Sequence, residues 1–325
     1  MLLAAAIAAA FGGRARAEDG FRPVIPVACE VGRTCFIQNY VDADASNGAK
    51  DYRCGTLTYN DHNGTDFRVP SIAAQRRGVN VLAAADGKVL RVRDGVPDRS
   101  VREKGRESVR GTECGNGMVI AHGDGWETQY CHMAAGSITV KSGEAVKAGQ
   151  PVGRVGLSGL TEYPHLHFMV RKEGKVVDPF AYEAAPGSCG GGRLLWADAL
   201  AHALVYRDSA VLNSGFATEA VTMEAIEDGS ADDAAPAPDS PAIVAFVRAI
   251  GLKGGDVQSL TLRGPDGAVV ARNEAKPLDR DKAQVMLFTG KKRPAAGWPR
   301  GTYTAIYTVE RDGKTVLKQD FAFTL

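Results

Sequence analysis

The run Tyr163-Pro164-His165-Leu166-His167-Phe168-Met169-Val170-Arg171 is made largely of strand formers with a period of two. In an extended chain that period turns both imidazoles to one face and sends Leu166 and Phe168 to the other, toward a core. The surrounding text from Tyr52 to Tyr182 is of the same kind: short β-rich runs at Val79–Ala83, Lys88–Arg93, Met118–His122, Glu127–Cys131, Pro151–Val155 and His165–Arg171, broken by glycine. No helical period competes with them, and closely spaced strands with turn signals between them predict an all-β domain. Between two of these runs, Asp94 to Glu113 is dense in both charges and poor in apolar residues. It is expected as a solvated loop, with a flap beside the functional site as the alternative.

At 325 residues the chain exceeds the usual size of one domain, so two domains are expected, each able to bury its own core. With 44% hydrophobic and 24% charged residues the composition is that of an ordinary globular protein. Its 39 basic and 38 acidic side chains nearly cancel, which gives no global reason to expect a nucleic-acid partner.

Leu2 to Phe11 is an apolar run too short to span a bilayer, and Ala15-Arg16-Ala17 offers a small-x-small cleavage pattern. Residues 1–17 are therefore expected as an export signal. Cysteines 29, 35, 54, 114, 131 and 189 form an even set behind it, for which an oxidising compartment makes disulfides the default. One pairing can be argued from the residues: Cys114 and Cys131 flank a hairpin turning at Gly123-Asp124-Gly125, which brings them together on paired strands. No CxxC occurs, so a cysteine zinc site is not expected. Residues 18–51, irregular and holding two of the cysteines, are expected as a stapled wrap over the next domain, residues 52–190.

Residues 191–241 read as a connecting segment that opens near the glycine-rich Gly187–Gly192 and ends in the Asp/Ala/Pro-biased Asp228–Pro241. Beyond it, Ala242–Arg248, Ser259–Arg263, Ala268–Arg272, Ala283–Phe288, Thr302–Glu310 and Thr315–Phe323 read as strands, with turns at Gly264-Pro265-Asp266-Gly267 and Asp312-Gly313. Residues 242–325 are expected as a C-terminal immunoglobulin-like β-sandwich with a binding or spacing role.

The chemistry concentrates in the histidines, of which there are six. His62-Asn63-Gly64-Thr65-Asp66 is an HxxxD pattern that Asn63-Gly64 keeps out of a helix and places on a loop entering a strand. Zinc favours imidazole nitrogen and carboxylate oxygen, and a catalytic site supplies three such ligands and leaves the fourth place to water. His62, Asp66 and one histidine of His165-Leu166-His167 make such a set; the residues alone leave open which one, and the other stands free beside it. Tyr130-Cys131-His132-Met133 adds a further histidine at a strand end. His122 and His202 are expected to be structural or surface residues, and Trp126 and Tyr163 to be core aromatics or to line a groove.

HxxxD, then His122-Gly123-Asp124-Gly125-Trp126 leading to His132, then Pro164-His165-Leu166-His167-Phe168, closely resembles the lysostaphin-type (LytM-like) zinc endopeptidases over roughly Thr58 to Phe180. The resemblance implies a duplicated-hybrid-motif β-sandwich core, one Zn²⁺ held by His62, Asp66 and His167, and a catalytic pair His132 and His165. It further implies hydrolysis of peptide cross-links in bacterial peptidoglycan; with the Ala- and Arg-rich usage and the stapled cysteines, a Gram-negative periplasm is expected. Met133, where leucine is common, and Cys131 before the catalytic histidine depart from the family pattern. Segments such as Ala85-Asp86-Gly87-Lys88-Val89 also resemble biotinyl and lipoyl carriers, but no modifiable lysine sits in a tight hairpin. A degenerate relative that only binds another hydrolase would lack ligands, and every ligand position is filled here.

Overall fold

The computed structural model describes residues 20–232 and 235–325; the expected export signal lies outside the described residues. The first body carries ten strands: β1 (Phe36–Asn39), β2 (Thr65–Arg68), β3 (Asn80–Leu82), β4 (Gly87–Arg93), β5 (Asn116–Ala121), β6 (Trp126–Met133), β7 (Ala145–Val146), β8 (Pro151–Arg154), β9 (His165–Lys172) and β10 (Lys175–Val177). Its main sheet runs β1-β2-β9-β6-β5-β4-β7, with β10 on β9, and the β3–β8 pair forms a second layer. The alternation read in β9 holds: Leu166, Phe168 and Val170 enter a core with Val89, Ile120, Tyr130, Val152 and Trp196. Their neighbours His165 and His167 are left on the opposite face of the sheet. Antiparallel register sets Asp66 across from His167 on one side and Cys131 across from it on the other.

Two short helices, α1 (Ile72–Arg77) and α2 (Val101–Lys104), were not foreseen. Each starts at a serine whose hydroxyl accepts a backbone N–H of the first turn, Ser71 from Ala74 and Ser100 from Arg102. The charged segment 94–113 is largely exposed, as expected of a solvated loop, and is also fastened at several points. Asp98 accepts the N–H groups of Ala135 and Leu157 at 2.9 and 2.7 Å, and the N–H of Val101 bonds the carbonyl of Thr161 at 2.9 Å. Disulfides join Cys29 to Cys35, Cys54 to Cys189, and Cys114 to Cys131, the last being the pairing argued from the hairpin.

The second body holds β11 (Ala210–Ala217), helix α3 (Met223–Asp228), β12 (Ala242–Leu252), β13 (Val257–Arg263), β14 (Val269–Glu274), β15 (Lys282–Lys292), β16 (Thr302–Arg311) and β17 (Lys314–Thr324). Sheets β11-β12-β15 and β14-β13-β16-β17 face one another across Ile243, Leu260, Tyr303, Tyr307 and Val309, the strand partition of an immunoglobulin-like sandwich. Tyr303 donates its hydroxyl to the carbonyl of Pro299 at 3.0 Å and so ties the start of β16 to the chain before it.

Strand β12 is apolar on both faces for a reason. Ile243, Ala245 and Val247 point into the sandwich core, whereas Val244 and Phe246 pack under α3 and Ile250 meets Phe36 of β1. The outer face of β12 is thus covered by α3 and, at Ile250, by the first body.

Candidate metal centre

Three donor atoms converge on the groove face of the first sheet. Asp66 on β2 and His167 on β9 are register partners, and the turn before β2 brings His62 over them. Oδ1 of Asp66 lies 2.9 Å from Nδ1 of His167 and 3.2 Å from Nε2 of His62, and those two nitrogens are 3.2 Å apart. A tetrahedral ion with bonds near 2.0–2.1 Å has ligand atoms separated by about 3.3–3.4 Å. The observed triangle is of that size, and all three side chains are buried, at 3%, 2% and 9% exposure for His62, Asp66 and His167.

Each donor is aimed by a partner on its far side. His62 Nδ1 donates to the carbonyl of Tyr40 at 2.6 Å, His167 Nε2 donates to Oδ1 of Asn63 at 3.1 Å, and Asp66 Oδ2 accepts from Nδ2 of Asn39 at 2.8 Å. The outward nitrogen of each imidazole therefore carries the proton, and the inward nitrogen offers a lone pair, the arrangement a metal requires. Gly64 makes room for it: a Cβ there would lie 2.6 Å from His167 Cε1 and Nε2. Burial disfavours the Asp66 carboxylate, but His62 and His165 hold its pKa well below the usual range. Burial likewise works against protonated His62, and Asp66 beside it outweighs that and raises its pKa; at His167 burial wins and the pKa falls.

His132 and His165 stand next to this triangle with ring centroids 4.7 Å apart. His132 Nδ1 donates to the carbonyl of Ser158 at 2.8 Å, and His165 Nδ1 donates to the carbonyl of Tyr163 at 2.9 Å, with Thr161 Oγ1 at 3.1 Å. Nδ1 of both rings is thus used as a donor to backbone, and Nε2 of His165 is 3.4 Å from Asp66 Oδ1. Burial, with His165 and His167 adding to it, pushes the His132 pKa well below its usual value and keeps the ring neutral. His132 sits at φ 61°, a left-handed conformation that non-glycine residues seldom adopt, and its N–H is bonded to the carbonyl of Cys114 at 2.8 Å.

All five residues singled out in the sequence are thus gathered at one place. His122 is elsewhere, bonded to Thr128 Oγ1 and the carbonyl of Asp86, and His202 is exposed. Trp126 belongs to the core, stacked on Phe21, whereas Tyr163 lines the groove under the guanidinium of Arg68 at 4.2 Å. The orienting residues Tyr40, Asn39 and Ser158 escaped the sequence reading because none lies in a motif; Asn63 alone was legible, inside HxxxD.

The groove over the site holds about 610 Å³, within the roughly 300–1,000 Å³ of small-molecule pockets, and is lined by residues of both bodies.

Comparison with known proteins gives the following. The model of peptidase family M23 matches residues 60–179. Peptidoglycan DD-endopeptidase ShyB of Vibrio cholerae is 35% identical over 117 residues, which are 36% of this chain and 22% of that one. Cell division protein DipM of Caulobacter vibrioides is 33% identical over 131 residues, 38% of this chain and 17% of that one. Among solved structures, a zinc-containing peptidase from Vibrio cholerae is 30% identical, covers 44% of this chain and 39% of its own, and superposes with a TM-score of 0.28. The chain spans about a fifth of the length of these curated relatives, 22% and 17%. The resemblance noted in the motifs and the family match fall on the same strands. Residues 60–179 are thus similar to peptidase family M23.

Proposed function

We propose that this chain is a zinc-dependent endopeptidase that hydrolyses peptide cross-links of bacterial peptidoglycan, with His62, Asp66 and His167 as zinc ligands and His132 and His165 as the catalytic pair. One observation carries the reading: an N, O, N donor triangle of 2.9–3.2 Å edges beside two imidazoles that each turn Nδ1 to a backbone carbonyl. Zinc at such a triangle supplies Lewis acidity toward a carbonyl and toward water. Everything else falls to the chain. A neutral imidazole of the pair takes a proton at Nε2 from the attacking water; once protonated it donates from the same atom, to the developing oxyanion or to the departing amine. Each kind of assistance is worth roughly 10² to 10⁴-fold. The carbonyls of Ser158 and Tyr163 hold the two rings in the tautomer that can do this.

Peptidoglycan as substrate is supported by the two Vibrio cholerae relatives described as peptidoglycan DD-endopeptidases, ShyB and ShyA. Three disulfides fit an oxidising compartment, and the periplasm of a Gram-negative bacterium is the location proposed. Among the described residues no helix is long and apolar enough to cross a membrane.

The test is metal content of the purified chain measured together with muropeptide release from isolated sacculi. One zinc per chain and zinc-dependent release are expected, with both lost in His167→Ala. His132→Ala should keep the metal and lose most turnover. Zinc loss in that variant would contradict the division of roles, and a wild-type chain that binds no zinc would replace the enzyme with a binding protein.

A further inference from the structure

The groove has a wall that lies outside residues 60–179. Its floor is Asp66, His132, His165 and Tyr163, and one rim comes from the fastened segment 94–113 through Arg102 and Arg106. The C-terminal sandwich provides another rim: the end of β12 with Lys253, and Asp281 to Gln284 at the start of β15. That rim is fixed in place at several points. Gln38 Nε2 donates to the carbonyl of Ala283 at 3.3 Å, buried Arg68 donates to Gln284 Oε1 at 3.1 Å, and Thr56 Oγ1 donates to Asp281 Oδ2 at 2.8 Å.

Charge in the groove is one-sided. Arg68, Arg102, Arg106, Lys253 and Lys282 line it against the carboxylates Asp66, Glu162 and Asp281, and Asp66 is committed to the donor triangle. Arg102 is neutralised by Glu162 at 2.8 Å, and Lys253 by Asp281 at 3.4 Å. Arg106 has no ion-pair partner among the described residues. Lys282, at 27% side-chain exposure, is paired only with the largely solvated Asp279, a partner whose pull is weakened by water. Two cations, one from each body, are therefore available to a ligand.

We propose, resting on the endopeptidase reading above, that the C-terminal sandwich is a specificity-determining wall of the active groove, and that Lys282 on it and Arg106 on the opposite body bind free carboxylates on the residues flanking the scissile bond. The substrate class is then an acidic, branched peptide, and amidation of its carboxyl groups weakens its binding. The sandwich acts at the site itself and is not a tether held apart from it.

The experiment uses the full-length, zinc-loaded His132→Ala chain, so that binding is read without turnover. Calorimetry compares a cross-linked tetrapeptide dimer with free side-chain carboxylates and the same dimer with those groups as carboxamides; Lys282→Gln and Arg106→Gln are then added singly. The acid form is expected to bind about tenfold tighter at low salt, with the preference shrinking about threefold for each cation removed and fading as salt rises. Equal affinity for the two forms, equal loss for both on substitution, or binding of neither would overturn the proposal. Turnover of the same dimers by the otherwise unaltered chain separates the two readings. An acid dimer that is preferred but never cut removes the endopeptidase and leaves the subsite, whereas sacculi cut without regard to amidation remove the subsite and leave the endopeptidase.

Discussion

Each donor atom of the metal centre is held by one hydrogen bond on its outer side, so the site depends on small residues that let those bonds form. Gly64 is the tightest case. Its φ is ordinary, and the constraint is space: the Cβ of Gly64→Ala would meet the His167 ring at 2.6 Å and the carbonyl of Phe168 at 2.8 Å. The ring must swing away from both Asn63 and the triangle. We expect Gly64→Ala to weaken metal affinity by about tenfold or more, as loss of an outer-shell partner does, and metal titration with a competing chelator checks it. A second residue-scale effect concerns Asp178. Its Oδ1 accepts the N–H of Phe180 at 2.8 Å, but Oδ2 is shut off from solvent without a hydrogen-bond partner. Burial pushes the carboxyl pKa up to about 7, and the charge of Asp51 adds to the shift. Between the ordinary carboxyl pKa and about 7 the folded chain keeps a proton that the unfolded chain has lost, so this group makes stability fall as pH rises through that window. Asp178→Asn should melt like the parent near pH 4 and higher than it at pH 8, by up to roughly 4 kcal/mol. Equal melting at both pH values would show that the carboxyl is solvated.

At the scale of elements, the hairpin of β5 and β6 carries His132, and the Cys114–Cys131 disulfide closes it one residue away. Because the His132 N–H bonds the carbonyl of Cys114, the left-handed turn at His132 leans on that clasp. Replacing both cysteines by serine should cost about 2–4 kcal/mol of stability and lower turnover more than zinc content, since the clasp bonds His132 directly and reaches His167 only through the β6–β9 register. Parallel loss of zinc and turnover would mean that the clasp supports the whole sheet. The same elements show what a sequence can reveal. Strand β9 was legible because His165 and His167 alternate with Leu166 and Phe168, and the Cys114–Cys131 pairing because a glycine turn lies between the two cysteines. Strand β2 was not, beyond its entry loop: Thr65, Asp66, Phe67 and Arg68 are all buried, and a buried arginine in a strand makes sense only with its partner Glu227, which lies 159 residues away. The tethers of the exposed segment 94–113 were hidden for a related reason: Asp94 and Asp98 are spent on backbone N–H groups of distant loops, and composition does not record such partners.

At the scale of the whole molecule, the two bodies are joined by a buried charge cluster. Arg68 of β2 and Arg248 of β12, at 1% and 0% exposure, both donate to Oε2 of Glu227 on α3, and Arg248 also bonds the carbonyl of Pro70. Two guanidiniums thus share one carboxylate in a region that water barely reaches. Burial lowers the pKa of both arginines, which registers the cost of keeping them charged there. Removing the shared counter-charge leaves two like charges facing each other, and breaking a buried pair by deleting one partner typically costs about 3–5 kcal/mol. Glu227→Gln keeps the shape of the side chain and removes only its charge, so its effect isolates electrostatics. A loss of about 3 kcal/mol in denaturant unfolding is expected. Separation of a single transition into two should accompany it, since this cluster, with the apolar contact of Leu212 and Ile250 with Phe36, couples the sandwich to the first body. Glu224→Gln on the exposed side of the same helix serves as control and should stay within about 0.5 kcal/mol of the parent. If Glu227→Gln behaves like that control, the apolar contact at Phe36 is what holds the sandwich against the groove, and Arg68 serves to position Gln38 and Gln284 beside it.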